Sequence, residues 1–212
     1  MFDYKQIGSA LIACDQNQVM ELINNALNEK IPAQEIVSKG LIAGMDAVGE
    51  KMQKMEMYIP EVLVAAKIMT AALEVLKPNL GATGIKSQGT VVIGTVKGDL
   101  HDIGKNLVSL MLKSSGMNVH DLGVNVTPEN FVLKVKELQP DFLCLSALLT
   151  TTMPMMKATV QAVKESGLRD KVKIMVGGAP VSNEFAKQIG ADGYAEDAGV
   201  AVKRIKELMP SA

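Results

Sequence analysis

Tryptophan is absent from this chain of 212 residues, and there are only 4 Phe and 3 Tyr. A core built on aromatic stacking is thereby excluded. The 14 methionines take up the role of gap-fillers, because an unbranched thioether side chain adapts to irregular spaces. Cysteine is almost as scarce. Cys14 and Cys144 lie far apart and form neither a disulfide framework nor a zinc-type spacing. Cys144 sits in the apolar run Phe142-Leu143-Cys144-Leu145 and reads as a small core residue. No apolar run approaches the roughly 18–20 residues that span a bilayer, so no membrane association is expected. The N-terminus has no basic region followed by a long apolar core, so the expected compartment is a reducing cytoplasm. No basic block stands out and the formal net charge is −1, which speaks against a nucleic-acid partner.

What is present is an ordinary globular balance, 48% hydrophobic and 21% charged. It falls into two textures. Residues 1–77 carry helical periodicity throughout. A first helix is expected near 3–13. Asp15 with Gln18 forms a capping pattern, followed by Val19, Leu22, Ile23, Ala26 and Leu27 at helical spacing. Ile31-Pro32 ends that helix. The next buries Val37, Leu41, Met45, Val48 and Met52. Pro60 opens a last helix with Val62, Leu63, Ala66, Met69, Leu73 and Leu76 inward, closed by Pro78. Four helices with short connections predict a small bundle. Residues 78–89, rich in Gly and polar residues, read as a linker.

From residue 90 short apolar runs alternate with helical patterns. The runs are 90–96, 118–122, 141–146, 171–176 and a weak one at 191–194; the helices are 104–115, 128–138, 153–166, 181–189 and 198–209. Five β-α units predict a parallel sheet of order 2-1-3-4-5 with helices on both faces, a Rossmann-like (flavodoxin-like) domain over 90–212. Such sheets bind ligands beyond their carboxyl edge. Three polar, glycine-rich segments lie there: 98–106, 146–152 and 177–178.

The first, Gly98-Asp99-Leu100-His101-Asp102-Ile103-Gly104-Lys105-Asn106, places a carboxylate and an imidazole two residues apart on a strand-to-helix turn. Asp99 could accept the Nδ1 proton of His101 and present Nε2 to a metal or a proton. A capped helix start with a merely solvated His is the competing reading of these residues. A phosphate loop is rejected: five residues (99–103) separate the glycines instead of four, Asn106 follows the Lys, and Asp99 and Asp102 would face the phosphates. Zinc is also disfavoured, because His101 and His120 are the only histidines and His120 falls on the second strand. Thr150-Thr151-Thr152 offers hydroxyls opposite the first loop, or simply caps a helix. Gly177-Gly178 admits close approach to the backbone, or simply makes a tight turn.

Taken together, the three segments resemble the cobalamin-binding signature Asp-x-His-x-x-Gly, Ser-x-Leu, Gly-Gly. Here these are Asp99–Gly104, Ser146-Ala147-Leu148 and Gly177-Gly178, separated by 41 (105–145) and 28 (149–176) residues. The resemblance covers nearly the whole chain. It is similar to the bundle and cobalamin module of cobalamin-dependent methionine synthase. It is closer to the corrinoid proteins of methylamine, methanol and glycine betaine methyltransferase systems, to which Gly177–Ser182 is a local match.

The resemblance implies a cobalamin or related corrinoid that cycles between Co(I) and methylcobalamin forms. His101 would be the lower axial cobalt ligand, Asp99 its hydrogen-bond partner, and Thr152 the extension of that relay. Ser146 and Thr150 would contact the buried nucleotide tail, with Gly177-Gly178 letting it enter. Gly98, Leu100, Asp102, Ile103, Gly104 and Leu148 belong to the same corrinoid-contacting segments, and Ala198 lies near a further contact. Met52 and Ile59 occupy the cap positions of the upper face, where methionine synthase has Phe and Leu. Ser38 stands where that enzyme has a Glu near the cofactor, and that contact is not carried over. The implied partners are a substrate-specific barrel methyltransferase, a second methyltransferase acting on a folate or thiol, and a reductive activation protein. The bundle would swing about the 78–89 linker to expose the cobalt.

Related readings are a cobalamin-dependent sensor and the cobalamin subunit of a carbon-skeleton mutase. No residues remain here for a helix-turn-helix domain, and the Trp of light-sensing relatives is missing. The helical bundle argues against the mutase. A flavodoxin-like module that binds no corrinoid would leave the three-part signature as coincidence.

Overall fold

The computed structural model describes residues 2–80 and 87–209. They form two compact units, Met1–Ser87 with Lys113–Gly116, and Gln88–Leu112 with Met117–Ala212. Of the expected linker, residues 81–86 lie outside the described residues.

The first unit is helical: α1 (Lys5–Ile12), α2 (Gln16–Asn28), α3 (Ala33–Glu35), a π-helical stretch Ile36–Ile42, α4 (Ala43–Gln53) and α5 (Ile59–Leu76). Asp15 caps α2 by accepting the Gln18 N–H at 3.0 Å. Glu61 reaches back to the Tyr58 N–H at 2.8 Å and fixes the start of α5. The wide turn at 36–42 departs from the expected 3.6-residue period. It buries Ile36, Val37, Gly40, Leu41 and Ile42 in one stretch. A Cβ on Gly44 would lie 2.8 Å from the Cα of Gly8, and one on Gly40 would lie 2.9 Å from Ile7 Cδ1, so α1 crosses this helix on its glycines. The inward face of α5 also differs from the one expected. Val62, Ala65, Ala66, Ile68, Met69, Ala72 and Leu76 are buried, whereas Leu63 is exposed and Leu73 half-buried. Small alanines allow close helix packing, so residue size misjudged which side faces in.

The second unit is a five-stranded parallel sheet of order β2-β1-β3-β4-β5 with helices between the strands. The strands are β1 (Thr90–Thr95), β2 (Asn118–Asp121), β3 (Phe142–Ser146), β4 (Lys173–Gly177) and β5 (Gly193–Ala195). The helices are α6 (Ile103–Ser114), α7 (Pro128–Leu138), α8 (Met153–Glu165), α9 (Asn183–Ile189) and α10 (Ala198–Leu208). The central strands are buried on both faces, as doubly covered parallel strands are. Val92, Leu143, Leu145, Ile174 and Val176 pack with Phe131, Met156 and Val160. Cys144, between Leu143 and Leu145 and so on the opposite face of β3, is also buried, and burial pushes its thiol up to about 12. Register aligns Thr95, Ser146, Gly177 and Ala195, the last residues of β1, β3, β4 and β5, in one row at the carboxyl edge.

Candidate functional site

The loop between β1 and α6 leaves this edge through a turn in which the Asp99 N–H donates to Val96 O at 3.1 Å. Gly98 takes φ +83, a conformation that favours glycine. The turn directs the Asp99 side chain inward, where it is wholly buried. His101 stays half exposed.

Asp99 is the hub. Its Oδ1 lies 2.7 Å from His101 Nδ1 and accepts the His101 backbone N–H at 3.1 Å. Its Oδ2 accepts the Thr152 hydroxyl at 2.7 Å and the Leu148 and Leu149 N–H groups at 2.8 and 3.3 Å. The donors to Oδ2 come from the β3–α8 turn, about fifty residues on, because β3 lies beside β1. Burial raises the Asp99 pKa, but the hydrogen bonds from Thr152, His101 and the Leu148 amide outweigh it. They hold the carboxyl well below the usual carboxylate range, so it is ionised. An ionised carboxylate at Nδ1 assigns the imidazole proton to that nitrogen and leaves the Nε2 lone pair outward. Among the described residues, no group bonds Nε2.

The Thr152 hydroxyl is therefore not a helix cap. Thr152 stands at the N-cap position of α8 without a side-chain cap bond. Its oxygen lies 2.7 Å from Asp99 Oδ2 and 2.9 Å from Leu149 O, and the charged acceptor is the stronger of the two. Nor is Asp99 the cap of α6, which begins at Ile103.

Around His101 the surface is apolar and open. Leu100, Ile103, Leu148 and Leu149 are exposed, Ile103 by 82%. Nothing lies within 4 Å of a Cβ placed on Gly104. Asp102 is exposed and its Oδ2 accepts from Asn106 Nδ2 at 2.9 Å. Ser146 is half-buried in the edge row and Thr150 is exposed in the following turn. Gly177 and Gly178 answer first to the protein's own backbone. A Cβ on Gly178, at φ +134, would lie 1.9 Å from Ala147 O, and one on Gly177 would lie 2.9 Å from Ala195 O. Ala198 is buried at the start of α10. Met52, half-buried on α4, and Ile59, half-exposed at the start of α5, belong to the helical unit.

Sequence reasoning gave no role to Asp121, Thr95 or Asn125, and weighed Lys105 only as part of a phosphate loop. The buried Lys105 ammonium pairs with Asp121 at the end of β2 and donates to Asn106 Oδ1 at 2.7 Å. Thr95 donates its hydroxyl to His101 O at 2.9 Å, and Asn125 accepts the Gly98 N–H through Oδ1 at 2.8 Å. Only the left-handed tolerance of Asn in Gly123-Val124-Asn125 hinted at such a turn.

An imidazole oriented by a buried carboxylate, set among exposed apolar residues at the carboxyl edge of a doubly wound sheet, is the arrangement of a ligand-binding site whose outward nitrogen could meet a metal-bearing cofactor. Family models described as B12 binding domain match residues 89–203 and residues 4–77. The chain is 46% identical to a dimethylamine corrinoid protein of Methanosarcina barkeri, over 97% of this chain and 96% of that one. Among solved structures it is similar to a cobalamin-binding protein from Desulfitobacterium hafniense, with TM-score 0.86 and 33% identity over 99% and 100% of the two chains. It is also similar to the methanol:cobalamin methyltransferase complex of Methanosarcina barkeri, with TM-score 0.83 and 32% identity over 97% of this chain and 78% of that one. The chain belongs to the B12-binding corrinoid proteins of methyltransferase systems.

Proposed function

We propose that this chain is a methyl carrier that holds a corrinoid with His101 Nε2 as the lower axial ligand. It takes a methyl group from a substrate-specific methyltransferase and yields it to a second methyltransferase acting on a folate or thiol. The observation that carries the reading is the Thr152–Asp99–His101 chain, with its charge buried and its free nitrogen outward. The residues fit the group: the donor is an imidazole whose Nδ1 is held by Asp99 and whose Nε2 stays open, and the rim around it is apolar. The bound corrinoid would supply a cobalt able to take up and release a methyl group.

The protein's own contribution is orientation and proton placement. The ionised Asp99 fixes the tautomer of His101 and leaves Nε2 directed outward. Leu100, Asp102, Ile103, Gly104, Gly98 and Leu148 provide the lower face. Ser146, Thr150, Gly177 and Gly178 line the entry of the nucleotide tail, with Ala198 nearby. The relative named for dimethylamine favours a methylated amine as the methyl donor. A reductive activation protein is the further partner, and the cytoplasm the setting.

The test uses protein labelled with 15N-histidine, refolded with hydroxocobalamin and reduced to cob(II)alamin. Electron paramagnetic resonance should show the doublet splitting of a 15N axial ligand. That signal distinguishes His101 from the corrinoid's own base. His101→Ala should abolish the doublet and methyl transfer; a wild-type spectrum and transfer rate in His101→Ala would refute the ligand assignment.

A further inference from the structure

The loop that carries Asp99 and His101 is held from outside at three backbone atoms. Thr95, wholly buried at the end of β1, donates its hydroxyl to the carbonyl of His101 at 2.9 Å. Asn125, in the β2–α7 connection, accepts the Gly98 N–H through Oδ1 at 2.8 Å. The Asn125 N–H donates to the carbonyl of Asp99 at 3.0 Å. Asn125 can do both because it sits at φ +55, a region where Asn is enriched among non-glycine residues.

These two residues are themselves tied together. Val126 N–H donates to Thr95 O at 2.9 Å, Thr95 N–H donates to Gly123 O at 3.0 Å, and Val96 bridges Val126. Strand β1 thus continues into the loop through a clamp from the β2–α7 connection. Within the segment itself, the loop has little else to fix it. The Asp99 N–H meets Val96 O, and the His101 N–H meets Asp99 Oδ1. Side-chain ligands act at their intended strength only when the backbone beneath them is fixed to within about half an ångström.

We propose that Thr95 and Asn125 are positioning residues that set the direction of the His101 imidazole and thereby bias the corrinoid toward its histidine-ligated form. This rests on His101 being the axial ligand. Neither side chain touches the imidazole; both act through the loop backbone.

The experiment compares wild type with Thr95→Val, Asn125→Gly and Asn125→Asp. Thr95→Val deletes the hydroxyl and keeps the shape. Asn125→Gly keeps the left-handed backbone and its N–H but deletes the acceptor. Asn125→Asp keeps the acceptor. Each protein, labelled with 15N-histidine, is loaded with hydroxocobalamin and reduced, and the 15N doublet gives the histidine-ligated fraction. Thr95→Val and Asn125→Gly should each shift the ratio of ligated to free form by about fivefold, the scale of one neutral hydrogen bond, with Asn125→Asp like wild type. Ratios unchanged in Thr95→Val and Asn125→Gly, or an Asn125→Asp protein that falls with Asn125→Gly, would overturn the proposal. The apoprotein separates this from the ligand assignment. Hydrogen exchange should show the Gly98 amide protected in wild type and Asn125→Asp and unprotected in Asn125→Gly. A Gly98 amide that exchanges freely in wild type refutes the clamp. A wild-type holoprotein without the 15N doublet refutes the axial reading, and with it the claimed bias.

Discussion

Replacing Asp99 by Asn changes one atom and one charge, and the geometry says which way the damage falls. The two carboxylate oxygens receive five donors: His101 N–H and Nδ1 on Oδ1, and Thr152, Leu148 and Leu149 on Oδ2. An amide has one oxygen and one NH2 group. With the NH2 at the Oδ2 position, it would face the Leu148 and Leu149 N–H groups, which cannot turn away. With the NH2 at the Oδ1 position, it would face the His101 backbone N–H, and Nδ1 of the ring. The second arrangement leaves one backbone donor unmet instead of two, so it is preferred. It also forces Nδ1 to accept, which moves the ring proton to Nε2 and removes the lone pair that would bind cobalt. Hydrogen bonds to a charged acceptor contribute about 1.5–3 kcal/mol against about 1 for neutral ones, so the exchange weakens the site by about 3 kcal/mol. Even half of that would reverse the tautomer preference about tenfold. The apparent affinity of a ligand falls with the fraction of the competent form, so histidine ligation should weaken by about tenfold or more. The assay is 15N NMR of the imidazole nitrogens in apoprotein labelled with 15N-histidine. It is recorded where the ring is neutral, with a His120→Gln control to assign the two rings. Wild type should show Nδ1–H and Asp99→Asn should show Nε2–H. The same tautomer in both proteins would refute this reasoning.

Three other outcomes follow from the same coordinates. Lys105 has a side chain only 2% exposed, so Lys105→Met strands the Asp121 carboxylate and should cost about 3 kcal/mol in urea unfolding; adding Asp121→Asn should recover much of it, and additive costs would show that the pair is not coupled. Gly178→Ala places a methyl group 1.9 Å from Ala147 O, so it should lower the unfolding midpoint sharply or prevent folding; near-wild-type stability would contradict the close approach. The Cys144 thiol is pushed up to about 12 by burial from an ordinary value near 9. The unfolded chain then loses its thiol proton first. The contribution is fully present below about pH 9 and declines as pH rises toward 12, by at most about 1.4 kcal/mol per unit. Measured against wild type, Cys144→Ala should show a shallower alkaline loss, and equal slopes would rule the thiol out.

The architecture was legible because apolar runs in a buried parallel sheet are short, continuous and bounded by turn residues. Expected and observed strands and helices in 90–209 agree to within about two residues, and the strand order is as expected. The helical unit was less legible in detail. Periodicity at 3.6 residues cannot foresee the wide turn at Ile36–Ile42. The buried stripe on α5 is made of alanines that a size-weighted reading overlooks. At the site, the Asp99–His101 contact was open to inference because the two residues lie two apart. Thr152 lies 53 residues from Asp99; the expected strand order set Thr150-Thr151-Thr152 opposite the loop, and the family resemblance singled out Thr152. Thr95 and Asn125 were hidden for a different reason. Their roles run through backbone atoms of the loop, and a backbone amide leaves no mark on the residue that carries it.

The same distinction explains why the carboxylate can be so deep. A charge buried without partners costs far more than the protein could offset. Here the Oδ2 partners belong to the β3–α8 turn, whose shape is set by β3 lying beside β1 and by the Ala147 backbone packing against Gly178. Thr152, Leu148 and Leu149 solvate Asp99 in place of water, and Asp99 in turn holds His101. Loss of a partner at Nε2 would therefore leave the carboxylate no worse satisfied than before. A side chain that is to exchange partners needs a support that does not rebuild at each event. The buried half of the relay provides that support, while the half-exposed imidazole keeps the freedom to let go.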